Sequence, residues 1–273
     1  IQEKYEDLMA SCEKIYRKET DRDFIKKAFF LAKEAHKGVR RRSGEPYLLH
    51  PIAVAKIAVD EIGLGVKSVV AALLHDVVED TEYTVEDITN MFGQKIATMV
   101  DGLTKMSGVF NTETSEQAEN FRKVLLTLSD DVRVILIKIA DRLHNMRTLG
   151  AMPINKQIKI TSETIYLFAP LAHRLGLYSI KTELEDLCMM YRFPDQYREI
   201  SEKLSKTKDQ LNEYITRFNA PIISTLKKNG TLQRFLCEAL FTQANKDNQG
   251  NKNIKKIYIK MEKGILYKKK KIL

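Results

Sequence analysis

The stretch Ala71-Ala72-Leu73-Leu74-His75-Asp76-Val77-Val78-Glu79-Asp80 joins an apolar helical stripe to one imidazole and three carboxylates. Its apolar residues recur at helical spacing, which predicts the buried face of one helix. His75 and Glu79 are four residues apart, as are Asp76 and Asp80, so each pair is expected on one helical face. An unpaired carboxylate near a core is costly and normally has a metal, a cation or donors beside it. The stretch therefore predicts a metal site with attached acid–base groups, although a lone His-Asp pair is more often a capping or solvated pair.

The composition of the 273-residue chain is that of an ordinary soluble protein, with 44% hydrophobic and 30% charged residues. The chain is long enough for one large or two modest domains. No apolar run approaches the roughly 18 residues of a membrane span, and no secretory signal is visible, so we expect no membrane partner. The three cysteines are widely spaced and odd in number, which favours reduced thiols in the cytoplasm: Cys12, Cys188 and Cys237.

The net charge of +9 is concentrated at one end of the chain. Residues 251–273 contain nine lysines and Glu262, a net charge of +8, so the other 250 residues carry about +1. The basic balance therefore belongs to the tail, and we predict no direct nucleic-acid binding by the main body.

Helical periodicity accounts for most of the chain. Helices are expected over about 2–18, 22–37, 48–62, 66–80, 84–91, 94–105, 115–128, 132–149, 153–174, 177–191 and 195–218. Asp21 is expected to cap the second of these helices. Residues 107–114 have the composition of a mobile loop.

A basic loop precedes the third predicted helix. Residues 39–47 contain three consecutive arginines followed by Ser43 and Gly44. Forked guanidinium donors and free backbone N–H groups suit phosphate binding, while a solvated basic loop is the commoner interpretation of such a run. The loop leads to His50 at the start of a helix, where Pro51 suits the first helical position. His50 is thus well placed to be a ligand beside a bound phosphate.

The segment 132–149 also places an acidic group in apolar surroundings. Its apolar run at 134–140 is compatible with a buried strand, but the absence of helix breakers favours one long buried helix. Asp141 projects from this helix, and Asn145 lies one turn further on the same face. The Asp141 carboxylate needs a cation, and a salt bridge to a neighbouring arginine is as good an interpretation as a metal.

Two imidazoles and two carboxylates from three separate helices are available as metal ligands: His50, His75, Asp76 and Asp141. This ligand set suits Mn²⁺, Fe²⁺ or Zn²⁺. Such an ion lowers the pKa of bound water and polarises a phosphoryl oxygen. Glu79 and Asp80, one turn beyond the His-Asp pair, are candidates to position that water or move its proton. The chemistry predicted is metal-assisted hydrolysis of a phosphoester or phosphoanhydride.

Four segments carry a family resemblance: RSGEPYLLHP at 42–51, ALLHDVVEDT at 72–81, KIADRLHNMRT at 138–148 and APLAHRLG at 169–176. The order and approximate spacing of their histidines and aspartates are similar to those of the HD phosphohydrolase superfamily. More narrowly, residues 20–200 resemble the hydrolase domain of RelA/SpoT homologues, the bifunctional (p)ppGpp synthetase/hydrolases of bacteria. The segments are long, so together they are far more specific than the His-Asp pair alone.

The resemblance implies an all-α HD-domain fold and manganese-dependent removal of the 3′-pyrophosphate from (p)ppGpp, which yields GDP or GTP plus pyrophosphate. It assigns Mn²⁺ to His50, His75, Asp76 and Asp141, and water activation to Glu79 and Asp80. It places Arg41, Arg42 and Ser43 in the substrate-binding loop and Asn145 and Thr148 near the nucleotide. His144 is close to the site without being a ligand, whereas His36 and His173 are expected to be structural.

The C-terminal part departs from the family pattern. We expect an HD hydrolase domain over 1–194, a linker helix region over 195–229, and a truncated synthetase remnant with a basic, partly disordered tail over 230–273. Synthetase activity is predicted to be absent, and the sequence predicts no particular oligomeric state. Two alternatives stay open: an HD-type phosphohydrolase of another nucleotide, and a non-catalytic remnant that binds nucleotide or a partner.

Overall fold

The structure, a computed structural model, describes residues 1–110 and 131–228. The helices in these ranges are α1 (Gln2–Cys12), α2 (Thr20–Ala35), α3 (Leu49–Asp60), α4 (Val66–Leu73), α5 (Val77–Asp80), α6 (Val85–Phe92), α7 (Gln94–Phe110), α8 (Val132–Arg147), α9 (Ile154–Glu163), α10 (Ala169–Arg174), α11 (Tyr178–Arg192) and α12 (Pro194–Lys228). A π-helical turn, Thr164–Phe168, joins α9 to α10. The described ranges contain no β-strand, only an isolated bridge between Arg40 and Pro46, so the predicted all-α fold is confirmed.

The chain divides into two compact units, Ile1–Pro194 and Asp195–Leu273. All the predicted site residues belong to the first unit. The predicted helix at 115–128 and the predicted synthetase remnant at 230–273 lie outside the described residues. The three-part domain division stays a prediction.

Helix α3 lies at the centre of the first unit because it is apolar on nearly every side. Its buried residues include Ile52, Val54, Ala55, Ile57 and Val59. It packs against α1, α4 and α8, while α4 also contacts α2 and α7. As a result, the beginning of α3, the end of α4 and the C-terminal half of α8 meet at one place.

The prediction of a continuous helix over 66–80 was wrong. Helix α4 ends at Leu73, a turn follows, and α5 begins at Val77. In the turn, His75 Nδ1 lies 2.8 Å from the carbonyl oxygen of Ala72, a local side chain–backbone bond that competes with helix continuation. In a straight helix, consecutive residues diverge by about 100° around the axis. The break instead allows the adjacent side chains of His75 and Asp76 to face the same place.

Three further boundaries differ from the sequence prediction. The first helix stops at Cys12 rather than near residue 18. Asp21 lies inside α2, where its Oδ2 accepts from the backbone N–H groups of Arg17 (2.8 Å) and Lys18 (3.1 Å), so it closes the preceding turn instead of capping the helix. Helix α7 extends to Phe110, so the first part of the predicted mobile loop is helical.

Helix α12 continues to Lys228, beyond its predicted end near residue 218. Within the described part of the chain, no helix combines the length and the hydropathy needed to cross a membrane. Cys12 and Cys188 are buried free thiols.

Candidate metal centre and adjoining cavity

The four side chains predicted as metal ligands meet where α3, the α4–α5 turn and α8 come together. His50 Nε2 lies 3.2 Å from Asp141 Oδ1 and 3.8 Å from Asp76 Oδ2. His75 Nε2 lies 2.9 Å from Asp76 Oδ2 and 3.9 Å from Asp141 Oδ1. Atoms that bind one ion at about 2.1 Å are about 3–4 Å from one another. The ligand atoms of His50, His75 and Asp76 all lie within 4.8 Å of one another, so their spacing fits a common metal ion, and Asp141 Oδ1 faces both imidazoles.

His75 Nε2 supplies a separate test of that fit. It is fully buried and makes no hydrogen bond with any residue that the structure describes. Its 2.9 Å contact with Asp76 Oδ2 lacks hydrogen-bond alignment. The other ring nitrogen faces the Ala72 carbonyl, which only accepts, so the proton of the neutral ring is on Nδ1. In the neutral ring a lone pair therefore faces a carboxylate oxygen, an arrangement that needs a positive charge between them: a proton on Nε2 in the metal-free protein, or a bound cation in its place.

The charges around the cluster favour a cation. Burial raises the pKa of the Asp141 carboxyl, but Lys138, with its Nζ 3.0 Å from Asp141 Oδ2, and then His50 and His75 outweigh burial and hold that pKa well below its usual range. Burial likewise lowers the pKa of His75, but the Asp76 and Asp141 carboxylates raise it to about 9. Burial raises the pKa of the Asp76 carboxyl, but His75 outweighs burial and holds that pKa well below its usual range, so both buried carboxylates stay ionised.

The two interpretations of Asp141, a salt bridge and a metal ligand, correspond to its two carboxylate oxygens. Oδ2 forms the salt bridge, with Lys138 rather than with a neighbouring arginine. Oδ1 faces His50 and accepts a hydrogen bond from Asn145 Nδ2 at 2.7 Å. One carboxylate oxygen is therefore directed at the candidate metal position.

Tyr47 was missed by the sequence analysis. Its hydroxyl donates to Asp76 Oδ2 at 2.5 Å and lies 3.2 Å from Asp80 Oδ2. Burial and the Asp76 carboxylate raise the pKa of Tyr47, which keeps the hydroxyl protonated and donating. The available signal was its position three residues before His50, one turn away from a candidate ligand.

The predicted substrate residues divide into two groups. Arg41 points inward, with Nη2 2.7 Å from Asn145 Oδ1, and with Nη1 3.4 Å from Thr148 Oγ1 and 3.3 Å from His144 Nδ1. Burial, His50 and Arg41 lower the pKa of His144 to about 3, so this ring is neutral. All five predicted substrate residues line an open cavity beside the cluster, but Arg42 and Ser43 are exposed.

The basic loop is shaped so that Arg41 can turn inward. The bridge between Arg40 and Pro46 closes its base, and Arg41 N donates to the carbonyl oxygen of Glu45 at 2.9 Å. Gly44 at the tip has a φ of 85°, a left-handed conformation that glycine adopts without strain.

A cavity of about 520 Å³ opens beside His50, Asp76 and Asp141. Glu79 and Asp80 line it, so the predicted acid–base residues share the cavity with the cluster. Helix α9 adds two cations that the sequence analysis did not single out, Lys156 and Lys159, three residues apart on one face. Lys138 and Arg142 also line it, each held by a carboxylate: Asp141 and Glu163, respectively.

Of the cations lining the cavity, Arg42, Lys156 and Lys159 form no salt bridge within the described ranges 1–110 and 131–228. The cavity therefore has a cluster of carboxylates and imidazoles at its base and uncommitted positive charge at its rim. Divalent metal at the base and a phosphorylated ligand across the rim are what this charge distribution favours.

The remaining histidines lie outside the cluster. His36 is buried, and its ring centroid is 4.6 Å from that of Tyr47. His173 packs edge-on against Tyr178, with ring centroids 5.3 Å apart.

The HD domain family model matches residues 28–178, which include every candidate ligand. The chain belongs to the HD domain family. The family and the cluster of His50, His75 and Asp76 together indicate a site for a divalent metal ion.

Three curated relatives are similar over the first three quarters or so of the chain. It is 45% identical to the GTP pyrophosphokinase of Myxococcus xanthus over 79% of the chain. It is 44% identical to the guanosine-3′,5′-bis(diphosphate) 3′-pyrophosphohydrolase of Vibrio cholerae, also over 79%, and 44% identical to the bifunctional (p)ppGpp synthase/hydrolase SpoT of Escherichia coli over 76%. The chain spans 29%, 30% and 29% of these relatives, respectively.

Proposed function

We propose that the chain is a Mn²⁺-dependent hydrolase that removes the 3′-pyrophosphate from (p)ppGpp and releases GDP or GTP. The observation that carries the proposal is the meeting of two imidazoles and two ionised carboxylates at the base of a cavity with a basic rim. Relatives at 44% identity named as pyrophosphohydrolases of this nucleotide supply the substrate class. The cytoplasm, which the cysteine pattern favours, is the proposed location.

The cluster would hold the metal through His50 Nε2, His75 Nε2, Asp76 Oδ2 and Asp141 Oδ1. When bound there, a divalent ion supplies a Lewis acid for a phosphoryl oxygen and lowers the pKa of water. Mn²⁺ accepts both imidazole and carboxylate ligands, in keeping with this mixed donor set.

Glu79 and Asp80 are proposed to accept the proton of the attacking water. Both follow the His-Asp turn directly in α5 and line the cavity next to the cluster. Tyr47 donates its one hydroxyl hydrogen to Asp76, and the same oxygen lies 3.2 Å from Asp80 Oδ2, so a candidate base lies beside a candidate ligand. A carboxylate acts as a general base when it lies within hydrogen-bond distance of the attacking water, and either Glu79 or Asp80 is suited to that role.

The basic rim is proposed to bind the phosphates. Arg42, Lys156 and Lys159 offer positive charge that is not neutralised by described carboxylates. Ser43 adds a hydroxyl at the loop, and Asn145 and Thr148 border the part of the cavity proposed for the nucleoside. The substrate carries a 3′-pyrophosphate and a 5′-diphosphate or triphosphate, so separate cations are available to each end.

Lys159→Ala is expected to raise the KM for ppGpp about 3- to 10-fold and to leave kcat within twofold, because a partly solvated cation–phosphate contact contributes about 1 kcal/mol. Lys159 is exposed, so the free energy of unfolding is expected to be unchanged. Steady-state kinetics measure the effect, with Lys67→Ala, an exposed lysine that does not line this cavity, as control. Equal KM values for the two variants would contradict a phosphate role.

The proposed activity is tested by following pyrophosphate release from ppGpp, pppGpp and deoxynucleoside triphosphates, with Mn²⁺, with Mg²⁺ and with chelator. Rapid Mn²⁺-dependent release from ppGpp or pppGpp is expected. Preferential turnover of deoxynucleotides would contradict the proposed substrate but would still support metal-dependent hydrolysis. Tight ppGpp binding without turnover would support the non-catalytic alternative. Synthesis of ppGpp from ATP and GDP would contradict the predicted absence of synthetase activity.

A further inference from the structure

The side chains beside the candidate metal position form a closed ring of polar contacts. His50 Nε2 lies 3.2 Å from Asp141 Oδ1, which accepts from Asn145 Nδ2 at 2.7 Å. Asn145 Oδ1 accepts from Arg41 Nη2 at 2.7 Å, and Arg41 Nη1 lies 3.3 Å from His144 Nδ1. His144 Nδ1 in turn lies 2.8 Å from His50 Nδ1, which closes the ring. The ring joins two proposed metal ligands to an arginine of the basic loop.

Arg41 sets the direction of hydrogen-bond donation along one arm of the ring, the arm through His144 to His50, because a guanidinium only donates hydrogen bonds. As a donated hydrogen bond, its 3.3 Å contact with His144 requires a lone pair on Nδ1, which places the ring proton of His144 on Nε2. The hydrogen between the two Nδ1 atoms, 2.8 Å apart, then belongs to His50, and the single lone pair of His144 Nδ1 is shared by the His50 and Arg41 donors. His50 consequently turns a lone pair at Nε2 toward Asp76 and Asp141, which is the form in which an imidazole binds a metal.

Arg41 also sets the direction of hydrogen-bond donation along the other arm, through Asn145 to Asp141. Asn145 presents Oδ1 to the Arg41 guanidinium, so its NH₂ group faces Asp141 and donates to Oδ1. The reversed amide would place NH₂ against a cation and Oδ1 against a carboxylate. With Lys138 holding Oδ2 of Asp141 at 3.0 Å, the amide steadies the oxygen that faces His50.

Arg41 is largely buried and its guanidinium contacts several side chains, as expected of a residue that positions others. Its side chain is 16% exposed, and Nη1 also lies 3.4 Å from Thr148 Oγ1. Its neighbour Arg42 is exposed, lines the same cavity and makes no side-chain hydrogen bond or salt bridge with a described member of the ring. The two adjacent arginines are therefore in different environments, although the sequence assigns both to the substrate loop.

We propose that Arg41 is a positioning residue for the metal centre. Through His144 it selects the His50 tautomer that presents Nε2, and through Asn145 it orients Asp141. The inference rests on the metal centre of the proposed function but is independent of which nucleotide is hydrolysed. It couples the loop that meets the substrate to the ligands of the metal.

The first test measures the Mn²⁺ dissociation constant without nucleotide, from the electron paramagnetic resonance signal of free Mn²⁺. Arg41→Lys keeps the charge but replaces the two-armed fork by one ammonium group, and Arg42→Lys is the matched control. Loss of an outer partner of a metal ligand typically weakens metal binding about 10- to 100-fold, which is expected for Arg41→Lys only. If Arg41 contacts substrate alone, both variants will bind Mn²⁺ as the wild type does, and the proposal fails.

A second pair of variants examines the His144 arm. In His144→Asn the amide oxygen stands near the position of Nδ1 and keeps an acceptor, whereas His144→Phe removes it. The expected Mn²⁺ affinity is close to wild type for the asparagine variant and about 10-fold weaker for the phenylalanine variant. Equal affinities for these two variants would contradict the role of the acceptor. Circular dichroism in chelator shows whether each variant is folded.

The wild-type protein alone supplies a decisive measurement even if a variant does not fold. Nitrogen-15 NMR of the metal-free protein distinguishes the histidine tautomers, and we expect the proton on Nε2 of His144 and on Nδ1 of His50. A proton on Nδ1 of His144 would overturn the proposal. Mn²⁺ binding that depends on Arg41, in a protein that does not hydrolyse ppGpp, would instead overturn the proposed function and leave this inference standing.

Discussion

His75→Ala is expected to abolish pyrophosphate release from ppGpp, with a fall in kcat of about 10³-fold or more. The metal contributes several kcal/mol to such a reaction, and each 1.4 kcal/mol changes the rate about tenfold. His75 is the proposed ligand whose inward nitrogen has no hydrogen-bond partner among the described residues, so its removal leaves Asp76 without the imidazole it faces. The variant is also expected to lose most of its Mn²⁺ affinity.

The measurement compares pyrophosphate release and Mn²⁺ binding in wild type, His75→Ala and His173→Ala. His173 is an exposed imidazole that packs on Tyr178 and does not line the cavity, so its loss is expected to change neither quantity. Because His75 is fully buried, Asp76→Asn serves as a second, nearly isosteric variant. A folded His75→Ala protein that still releases pyrophosphate with Mn²⁺ would remove the basis for the proposed metal centre.

Glu79→Gln and Asp80→Asn are expected to separate catalysis from metal binding. If these carboxylates move the proton of the attacking water, kcat falls about 10²- to 10⁴-fold for the more important of the two. Neither residue is among the four that surround the metal position, so Mn²⁺ affinity is expected to stay within threefold of wild type. This combination differs from that of His75→Ala, which loses both.

Kinetics and Mn²⁺ titration on Glu79→Gln, Asp80→Asn and the control Glu82→Gln make the comparison. Glu82 is exposed, close in sequence and absent from the cavity lining, so its amide variant is expected to behave as wild type. Full activity in both Glu79→Gln and Asp80→Asn would show that neither carboxylate acts as the base. A loss of Mn²⁺ affinity equal to the loss of kcat would make them ligands instead.

Local sequence patterns predicted the helices that carry the site. The unbroken apolar run around Asp141 predicted a long buried helix, and α8 covers Val132–Arg147. The segment after His50 likewise forms α3, because apolar residues on all sides of a helix favour the centre of a bundle. Helical periodicity is set by neighbours three and four residues apart, so it can be read without knowing the fold.

The break between α4 and α5 was not predictable from the same pattern. Leu73, Leu74 and Val77 are all fully buried, so the apolar stripe continues through the turn as it would through a helix. At the break His75 Nδ1 lies 2.8 Å from the carbonyl oxygen of Ala72, and periodicity carries no information about such a side chain–backbone contact.

Residue order and spacing were enough to predict an all-α chain whose histidines and aspartates resemble those of a metal-dependent hydrolase. The environment of each group, however, depends on how distant segments pack together. Arg41 and Asn145 are 104 positions apart, yet their contact turns one arginine of the loop away from solvent while its neighbour stays exposed. Which hydrogen-bond partners a charged side chain meets depends on elements packed from distant parts of the chain, so no local pattern distinguishes Arg41 from Arg42.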